Sequence, residues 1–253
     1  LTSGASNVLI GRDAGANFTD GGNSVAIGHG ALTTEDSGGG SVAIGRQALE
    51  DENVDSPQNV AVGYQAGLNL TTATENTLVG YAAGGLGTIT GVGNTVLGRG
   101  AGYDLTSASD NVIIGKNAAD EMTTGKQNVI IGLDACGLGV LANASSTEGM
   151  YNVVIGPQAG YDLTTGEKNV LLGKDAGANL TDNNNCIAIG HGALDAAAAA
   201  ENHNIAIGRD ALGAENSNAE YCVAVGSFAL ALQNANVKNT AIGGLAGDAI
   251  VGG

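Results

Sequence analysis

A short pattern of polar and apolar positions repeats along the whole chain. A polar residue, most often Asn, precedes three residues that are almost always apolar and then a glycine, as in Asn111 to Gly115, and an Ala stands three residues after that glycine. Fourteen copies occur at spacings of 17 or 18 residues, with one spacing of 24. Recurrence at this period is typical of a solenoid in which each repeat forms one coil. The repeat glycines are Gly11, Gly28, Gly45, Gly63, Gly80, Gly98, Gly115, Gly132, Gly156, Gly173, Gly190, Gly208, Gly226 and Gly243.

Each three-residue apolar segment predicts a short β-strand. The segments are rich in Val and Ile, and their apolar positions show no helical period. Stacking the coils pairs these strands in parallel, about 4.8 Å apart. The predicted fold is an all-β parallel β-solenoid, or β-roll, of about 14 coils, and residues 1–253 form one repetitive segment. The long spacing predicts a surface loop at 137–150.

The polar residue before each strand predicts either a ladder of Asn side chains or a row of simple turn residues. Stacked amides bond to one another and to the turn backbone, but a plain turn Asn has the same geometry. The sequence leaves both interpretations open. The ladder candidates are Asn7, Asn59, Asn76, Asn94, Asn111, Asn128, Asn152, Asn169, Asn204 and Asn239, and the other four coils carry Ser24, Ser41, Cys186 and Cys222.

The middle residue of each strand is expected to form an oligomer interface. If Val112 and Ile114 point into the coil, Ile113 points out, because strand side chains alternate between faces. All 14 middle residues are apolar, and an exposed stripe of roughly 1,000 Å² exceeds what soluble monomers show. A second copy of the chain is the simplest cover, although this reasoning does not fix the number of copies. The larger predicted interface residues are Leu9, Leu78, Val96, Ile113, Ile130, Val154 and Leu171.

The size of the middle residue is coupled to the position four residues after the glycine. Five coils have Leu at that later position, and all five have Ala in the middle of the strand. Seven of the other coils place a bulky apolar residue three positions further on, as with Leu70 and Leu105. This compensation indicates that the middle residue and the early Leu share one packing layer. The five early Leu residues are Leu32, Leu49, Leu194, Leu212 and Leu230.

Composition and charge exclude several classes of protein. Two prolines and no Gly-X-Y period exclude collagen, even with 43 glycines. The net charge of −16 argues against nucleic acid and anionic membrane surfaces as partners. No run approaches the 18 apolar residues of a membrane span, so we expect no membrane insertion by this segment.

Two coils resemble a known repeat. Residues 24–31 (SVAIGHGA) and 41–48 (SVAIGRQA) look like the head repeat of trimeric autotransporter adhesins, the YadA-like head, and like similar repeats of phage tail fibres. The resemblance covers essentially the whole chain and implies a left-handed β-roll packed as a side-by-side homotrimer. It is specific for architecture and weak for ligand. The longer turns of this chain, such as Leu163 to Gly166, favour a phage or virion fibre over a bacterial adhesin.

The position after the repeat glycine holds six of the nine basic residues. We expect these side chains to face outward, as a solvated edge balanced by Asp13, Asp175 and Asp210, or alternatively as a ridge that contacts a receptor. Tyrosines such as Tyr64 and Tyr81 either pack or stack on sugars. The candidate receptor contacts are Arg12, Arg46, Arg99, Lys116, Lys174 and Arg209.

No spacing in the chain predicts a catalytic residue, a cofactor site or a metal site. Cys186 and Cys222 lie two coils apart in one column, about 9–10 Å, which is too far for a disulfide. The acidic turn at Glu50 to Glu52 is at most a weak Ca²⁺ candidate, since no known Ca²⁺-loop motif occurs.

The expected function is a non-enzymatic, extracellular fibre segment of a trimeric attachment protein, on a virion or a cell surface. Its partners would be copies of itself and a host-surface glycan or protein receptor. Because the chain begins within a coil and shows no cap, we expect it to be part of a longer fibre. The alternatives are a self-assembling extracellular filament, a solute- or ice-binding solenoid, and, less favoured, a polysaccharide-cleaving β-helix enzyme.

Overall fold

The computed structural model describes residues 4–35, 39–54, 57–85, 87–138, 149–195, 202–213, 220–232 and 238–248. Over these residues the protein is an all-β parallel solenoid without a helix, as predicted. One three-residue strand is found for each of the fourteen repeats.

The chain divides into two compact units, residues 1–124 and 125–253. Within each unit the strands pair in parallel and in chain order. Equivalent residues face one another, so that Val25 pairs with Val42 and Val42 with Val60. The first unit carries β1 to β7, at Val8–Ile10, Val25–Ile27, Val42–Ile44, Val60–Val62, Thr77–Val79, Thr95–Leu97 and Val112–Ile114. The second carries β8 to β14, at Val129–Ile131, Val153–Ile155, Val170–Leu172, Ile187–Ile189, Ile205–Ile207, Val223–Val225 and Thr240–Ile242.

Backbone hydrogen bonds also join neighbouring coils outside the strands. The amide of Leu32 donates to the Ala48 carbonyl at 3.1 Å, and that of Leu49 donates to the Ala66 carbonyl at 3.0 Å. The turns are therefore stacked in the same register as the strands, and most of the backbone hydrogen-bonding groups in a coil have partners in the coils beside it.

The repeat glycine is required by this close stacking. At Gly173 the backbone has φ +134°, and a Cβ there would lie 2.6 Å from the carbonyl oxygen of Gly190 in the next coil. No side chain fits at that distance, and the backbone conformation is itself one that L-residues avoid. The glycine column is therefore a packing requirement of the solenoid.

The interior of each coil holds small residues and a few large ones, and the position of the large ones differs between coils. Leu49 fills the third coil, whereas the fourth has Gly67 at the equivalent position and is filled by Leu70, and both leucines are fully buried. A Cβ on Gly67 would lie 2.9 Å from Leu49 Cδ2 and 2.8 Å from Leu78 Cδ1. Leu49 and Leu78 of the neighbouring coils thus fill the space that an early large residue would need in the fourth coil.

The middle residue of each strand points into this core, which corrects the expectation that it faces outward. The Asn before the strand and the middle residue lie on the same side, so both project inward and the two flanking residues project outward. The residues predicted as an oligomer interface are core residues of the single chain: Leu78, Val96, Ile113, Ile130, Val154 and Leu171 are fully buried, and Leu9 is half-buried in the first coil.

Candidate functional site

The outward side of the strands forms an aliphatic surface, here called the strand face. It consists of the first and third residue of every strand, and all are Val, Ile or Leu except Thr77, Thr95 and Thr240. These side chains are half-buried or exposed, with Ile10 at 57%. Exposed sheet faces normally carry polar residues. The chain therefore has an outward-facing apolar surface. It is formed by the first and third residues of each strand and not by the middle residues that were expected to form it.

The Asn side chains form hydrogen-bonded ladder segments. In the first unit, Asn76 Oδ1 accepts hydrogen bonds from the backbone amide and the side-chain amide of Asn94, both at 2.9 Å. Asn94 Oδ1 accepts the same pair from Asn111, at 3.2 and 3.0 Å. The second unit repeats this arrangement through Asn128, Asn152 and Asn169. These amides are buried, so their role is structural and they contribute nothing to a binding surface.

The other residues of this column continue or end the ladder. Ser24 and Ser41 each accept one backbone hydrogen bond through the hydroxyl oxygen, at 3.1 Å. The backbone amides of Cys186 and Cys222 donate to Asn169 and Asn204, both at 2.9 Å. All three cysteines are buried and free, and burial raises the pKa of the Cys136 thiol to about 12. They act as small core residues.

The basic residues after the repeat glycine lie on an exposed edge of the coils, here called the edge column. All six predicted receptor contacts are exposed. Arg12 pairs with Asp13 at 3.3 Å, Lys174 with Asp175 at 2.5 Å, and Arg209 with Asp210 at 3.4 Å. Ion pairs this exposed contribute little to stability. Half of the predicted contacts are therefore part of a locally neutralised edge.

Aromatic residues replace these ion pairs in the middle of the first unit. The Tyr64 and Tyr81 rings stack with centroids 5.1 Å apart, and the guanidinium carbons of Arg46 and Arg99 lie 5.4 and 5.7 Å from the Tyr64 and Tyr81 centroids, respectively. Stacking and cation–π attraction hold these four side chains in one continuous row. Beside it lies a depression of about 300 Å³, lined by Tyr81, Ala82, Arg99, Gly100, Tyr103, Asn117 and Asp120.

A second stacked row lies in the second unit, on the residues that precede the Asn column. The His203 and Tyr221 rings stack at 4.6 Å, and Lys238 Nζ lies 4.7 Å from the Tyr221 centroid. The identical register of neighbouring coils brings equivalent side chains together at each step. Sequence reasoning missed this row and its three members, although the equal offset of His203, Tyr221 and Lys238 from their repeat glycines carries the signal.

Two carboxyl groups lie inside the first unit, which sequence reasoning missed. Glu35 is 1% and Glu52 0% exposed, and they occupy equivalent positions in neighbouring coils. Burial raises the pKa of Glu52 to about 7, and the charge of Glu35 adds to this. Asn59 donates a hydrogen bond to Glu52 Oε1 at 2.7 Å. The signal in the sequence is that both stand in the column that holds Phe18 and Leu70 in other coils.

The acidic turn at Glu50 to Glu52 does not present three carboxylates to solvent, because Glu52 is buried. Within the described ranges, no group of three or more His, Cys, Asp or Glu side chains is arranged to hold a metal ion. Over the same part of the chain there is no helix long and apolar enough to cross a membrane.

Most of the predicted loop at 137–150 lies outside the described residues, which omit 139–148. Its two ends are bound to the next coil: the Leu138 amide donates to the Tyr161 carbonyl at 3.1 Å, and the Gly149 amide to the Thr165 carbonyl at 3.0 Å. The extra residues are therefore added between two positions that keep the coil register.

Comparisons with models of protein families, with curated proteins and with solved structures found no match. What the chain does is therefore inferred from its own surfaces.

Proposed function

We propose that this chain is a non-enzymatic, extracellular segment of an attachment fibre, in which three copies pack side by side through their strand faces. The observation that carries the proposal is the strand face, which is aliphatic in nearly every coil. The resemblance of residues 24–31 and 41–48 to YadA-like head repeats supports the number three and a left-handed coil. The fibre belongs to a virion or to a cell surface.

The strand face is large enough to drive association. Seven strands about 4.8 Å apart and two side chains wide give a face of roughly 300 Å² in each unit. Removing it from water contributes about 7 kcal/mol per unit on each copy, against a cost of association of about 4–15 kcal/mol. Two such units on each chain make self-association favourable.

The edge column supplies surface for a receptor, a host-surface glycan or protein. The six basic side chains and Tyr81 are exposed, Tyr64 is half-buried, and all of them stand outside the strand face. Three copies in one fibre present each edge three times, which raises the avidity for a surface that carries many receptors. The net charge of −16 disfavours nucleic acid as the partner.

Two other functions fit the surfaces less well. Ice binding calls for rows of Thr, whereas the strand face holds three Thr residues among aliphatic ones. Catalysis by the carboxyl pair Glu35 and Glu52 requires contact with substrate, and both groups are enclosed in the core.

Light scattering coupled to size exclusion tests the proposal on the chain as it exists. The chain has a mass of 24.7 kDa, so a trimer has three times that mass, about 74 kDa. Replacing Val112 and Ile114 with Glu places two charges on the strand face, and we expect this variant to lose the trimer while keeping its β circular dichroism spectrum. The matched control is Ser107→Glu with Gln127→Glu, which also adds two negative charges, since Ser107 and Gln127 are exposed turn residues away from the strands.

A chain that runs as a monomer at micromolar concentration would contradict the proposal. Open-ended particle growth would instead support the self-assembling filament. An unchanged trimer in the Val112 and Ile114 variant would show that another surface holds the copies together.

A further inference from the structure

We propose that the depression beside the tyrosine row binds a single neutral pyranose ring of a glycan, through Tyr103, Arg99, Asn117 and Asp120. A sugar site here would identify the kind of receptor that the proposed attachment fibre binds. Only the biological role of the site rests on that proposed function. Binding itself is a property of the first unit.

The depression exists because small residues follow one another in neighbouring coils. Ala82 and Gly100 occupy the position two residues after the repeat glycine, where the next coil has Asn117. A Cβ on Gly100 would lie 3.1 Å from Asn117 Oδ1. The missing side chains leave a space of about 300 Å³, which is at the lower end for small-molecule sites and suits one ring.

The walls of the depression are held in place before a ligand arrives. Tyr81 is 53% exposed but is fixed between the Tyr64 ring and the Arg99 guanidinium. Tyr103 is half-buried, and its backbone carbonyl accepts a hydrogen bond from the Gly87 amide at 3.4 Å. Prior ordering of this kind lowers the entropy cost of binding.

The lining groups match a sugar better than an ion. Arg99 and Asn117 carry N–H donors, Asp120 and the Asn117 oxygen carry acceptors, and sugar hydroxyl groups use both kinds. Asn117 and Asp120 also interact within the protein, but each side chain has more than one donor or acceptor position. The Tyr103 ring offers an apolar surface for the C–H face of a pyranose. One cation and one anion line the space, so it provides no net charge for an acidic ligand, and the charge of −16 on the chain opposes one.

Saturation-transfer-difference NMR on the full chain tests this with methyl glycosides of glucose, galactose, mannose and N-acetylglucosamine, with sialic acid and inorganic phosphate as charged probes. A methyl hexoside of about thirteen non-hydrogen atoms, at about 0.3 kcal/mol per atom, predicts a dissociation constant in the range of ~1–10 mM. We expect at least one neutral glycoside to bind and both charged probes to give no signal.

The variant Gly100→Asn fills the depression, and the fold accepts Asn at this position because Asn117 has φ +52° in the same column. We expect its binding to fall by ~10-fold or more. Gly30→Asn is the matched control, since Gly30 has φ +69° in the same column and lies four coils away from the depression. It should bind as the unmodified chain does.

Binding of no neutral glycoside would overturn the proposal, as would full binding by a folded Gly100→Asn chain. Preference for sialic acid or phosphate would also overturn it, because the depression would then bind an anion and not a neutral sugar. The mass measured by light scattering is independent of these results, so failure here leaves the proposed fibre assembly standing.

Discussion

A buried carboxyl group defines the chemistry of the third coil. Glu52 occupies a position that is apolar in most coils, and Leu49 already fills the core of its coil. Its Oε1 accepts from Asn59, while its Oε2 has no hydrogen-bond partner among the described residues. Such a group is better accommodated as the neutral acid, which is why its pKa rises to about 7.

The stability of the chain should therefore fall as Glu52 ionises. The folded pKa is about 7 and the ordinary value 4.5, so the contribution of the neutral acid is complete below pH 4.5 and is lost as the pH rises through 7. The loss is about 3 kcal/mol. Urea unfolding at pH 4.5 and pH 8 measures it, and Glu52→Gln should reduce the difference between the two pH values by this amount.

Glu75→Gln serves as the control, because Glu75 is an exposed carboxylate in the following coil. This variant should keep the full pH dependence of the unmodified chain. If Glu52→Gln and Glu75→Gln have the same pH dependence, Glu52 ionises without cost to the fold.

Among the elements, the Asn ladder stabilises the corner that leads into each strand. Asn94 accepts two hydrogen bonds from Asn111, donates to Asn76 and donates through Nδ2 to the Ala108 carbonyl at 2.8 Å. Every one of these groups is out of contact with water. Removal of one member thus leaves buried donors and acceptors without partners, each at a cost of about 1–3 kcal/mol.

Asn94→Ala should lower the free energy of unfolding by about 3 kcal/mol or more. Asn94→Ser should cost less, because Ser41 in the same column accepts the backbone amide of Asn59 through its hydroxyl oxygen at 3.1 Å. Thermal and urea unfolding of the two variants measure the difference. Equal losses for Ala and Ser would mean that the ladder oxygen contributes nothing beyond its volume.

The strands show how much of the fold the sequence predicts. Period, strand positions and parallel stacking all follow from the recurring glycine and the aliphatic triplets. The sequence does not predict which side chains point inward. All three residues of a strand such as Val112–Ile114 are apolar, so no alternation of polar and apolar residues marks the buried face. The coupling between an Ala at the strand middle and the early Leu, as with Ala43 and Leu49, already indicated an inward position.

The candidate site was only partly predictable. The exposed basic residues follow from the repeat, since one column of a regular coil shares one environment. The depression at Tyr81 and Tyr103 does not follow from the repeat, because it depends on small side chains in one column lying beside large ones in another. From the sequence alone, Glu52 is part of an acidic turn, because its burial depends on the path of the chain and on the hydrogen bond from Asn59.

At the scale of the whole molecule, each strand among the described residues contacts only the strands beside it, so a local defect should remain local. Solenoid stability is close to a sum of repeat and nearest-neighbour contributions.

Gly173→Ala tests this, because its Cβ would meet the Gly190 carbonyl in the second unit. We expect a loss of about 3 kcal/mol or more in the coils around β9 to β11, from the clash and the unfavourable φ together. Hydrogen exchange followed by mass spectrometry should show faster exchange there and unchanged exchange at β1 to β4.

The control is Gly244→Ala, since a Cβ at Gly244 meets its nearest neighbour, the Ser227 carbonyl oxygen, at 3.8 Å. It should leave exchange unchanged in both units. Faster exchange at β1 to β4 in Gly173→Ala would show that the chain unfolds as one cooperative body.

The equal register of the glycine, Asn and aliphatic columns also determines how such a gene can change in size. Loss of the codons for residues 99–115 would join Gly98 to Lys116 and leave every column in phase. Small differences in repeat length are taken up in the turns, as the spacings of 17, 18 and 24 residues show. Unequal recombination between repeats therefore gives shorter and longer proteins that still fold. The length of the solenoid can thus change during evolution by whole coils.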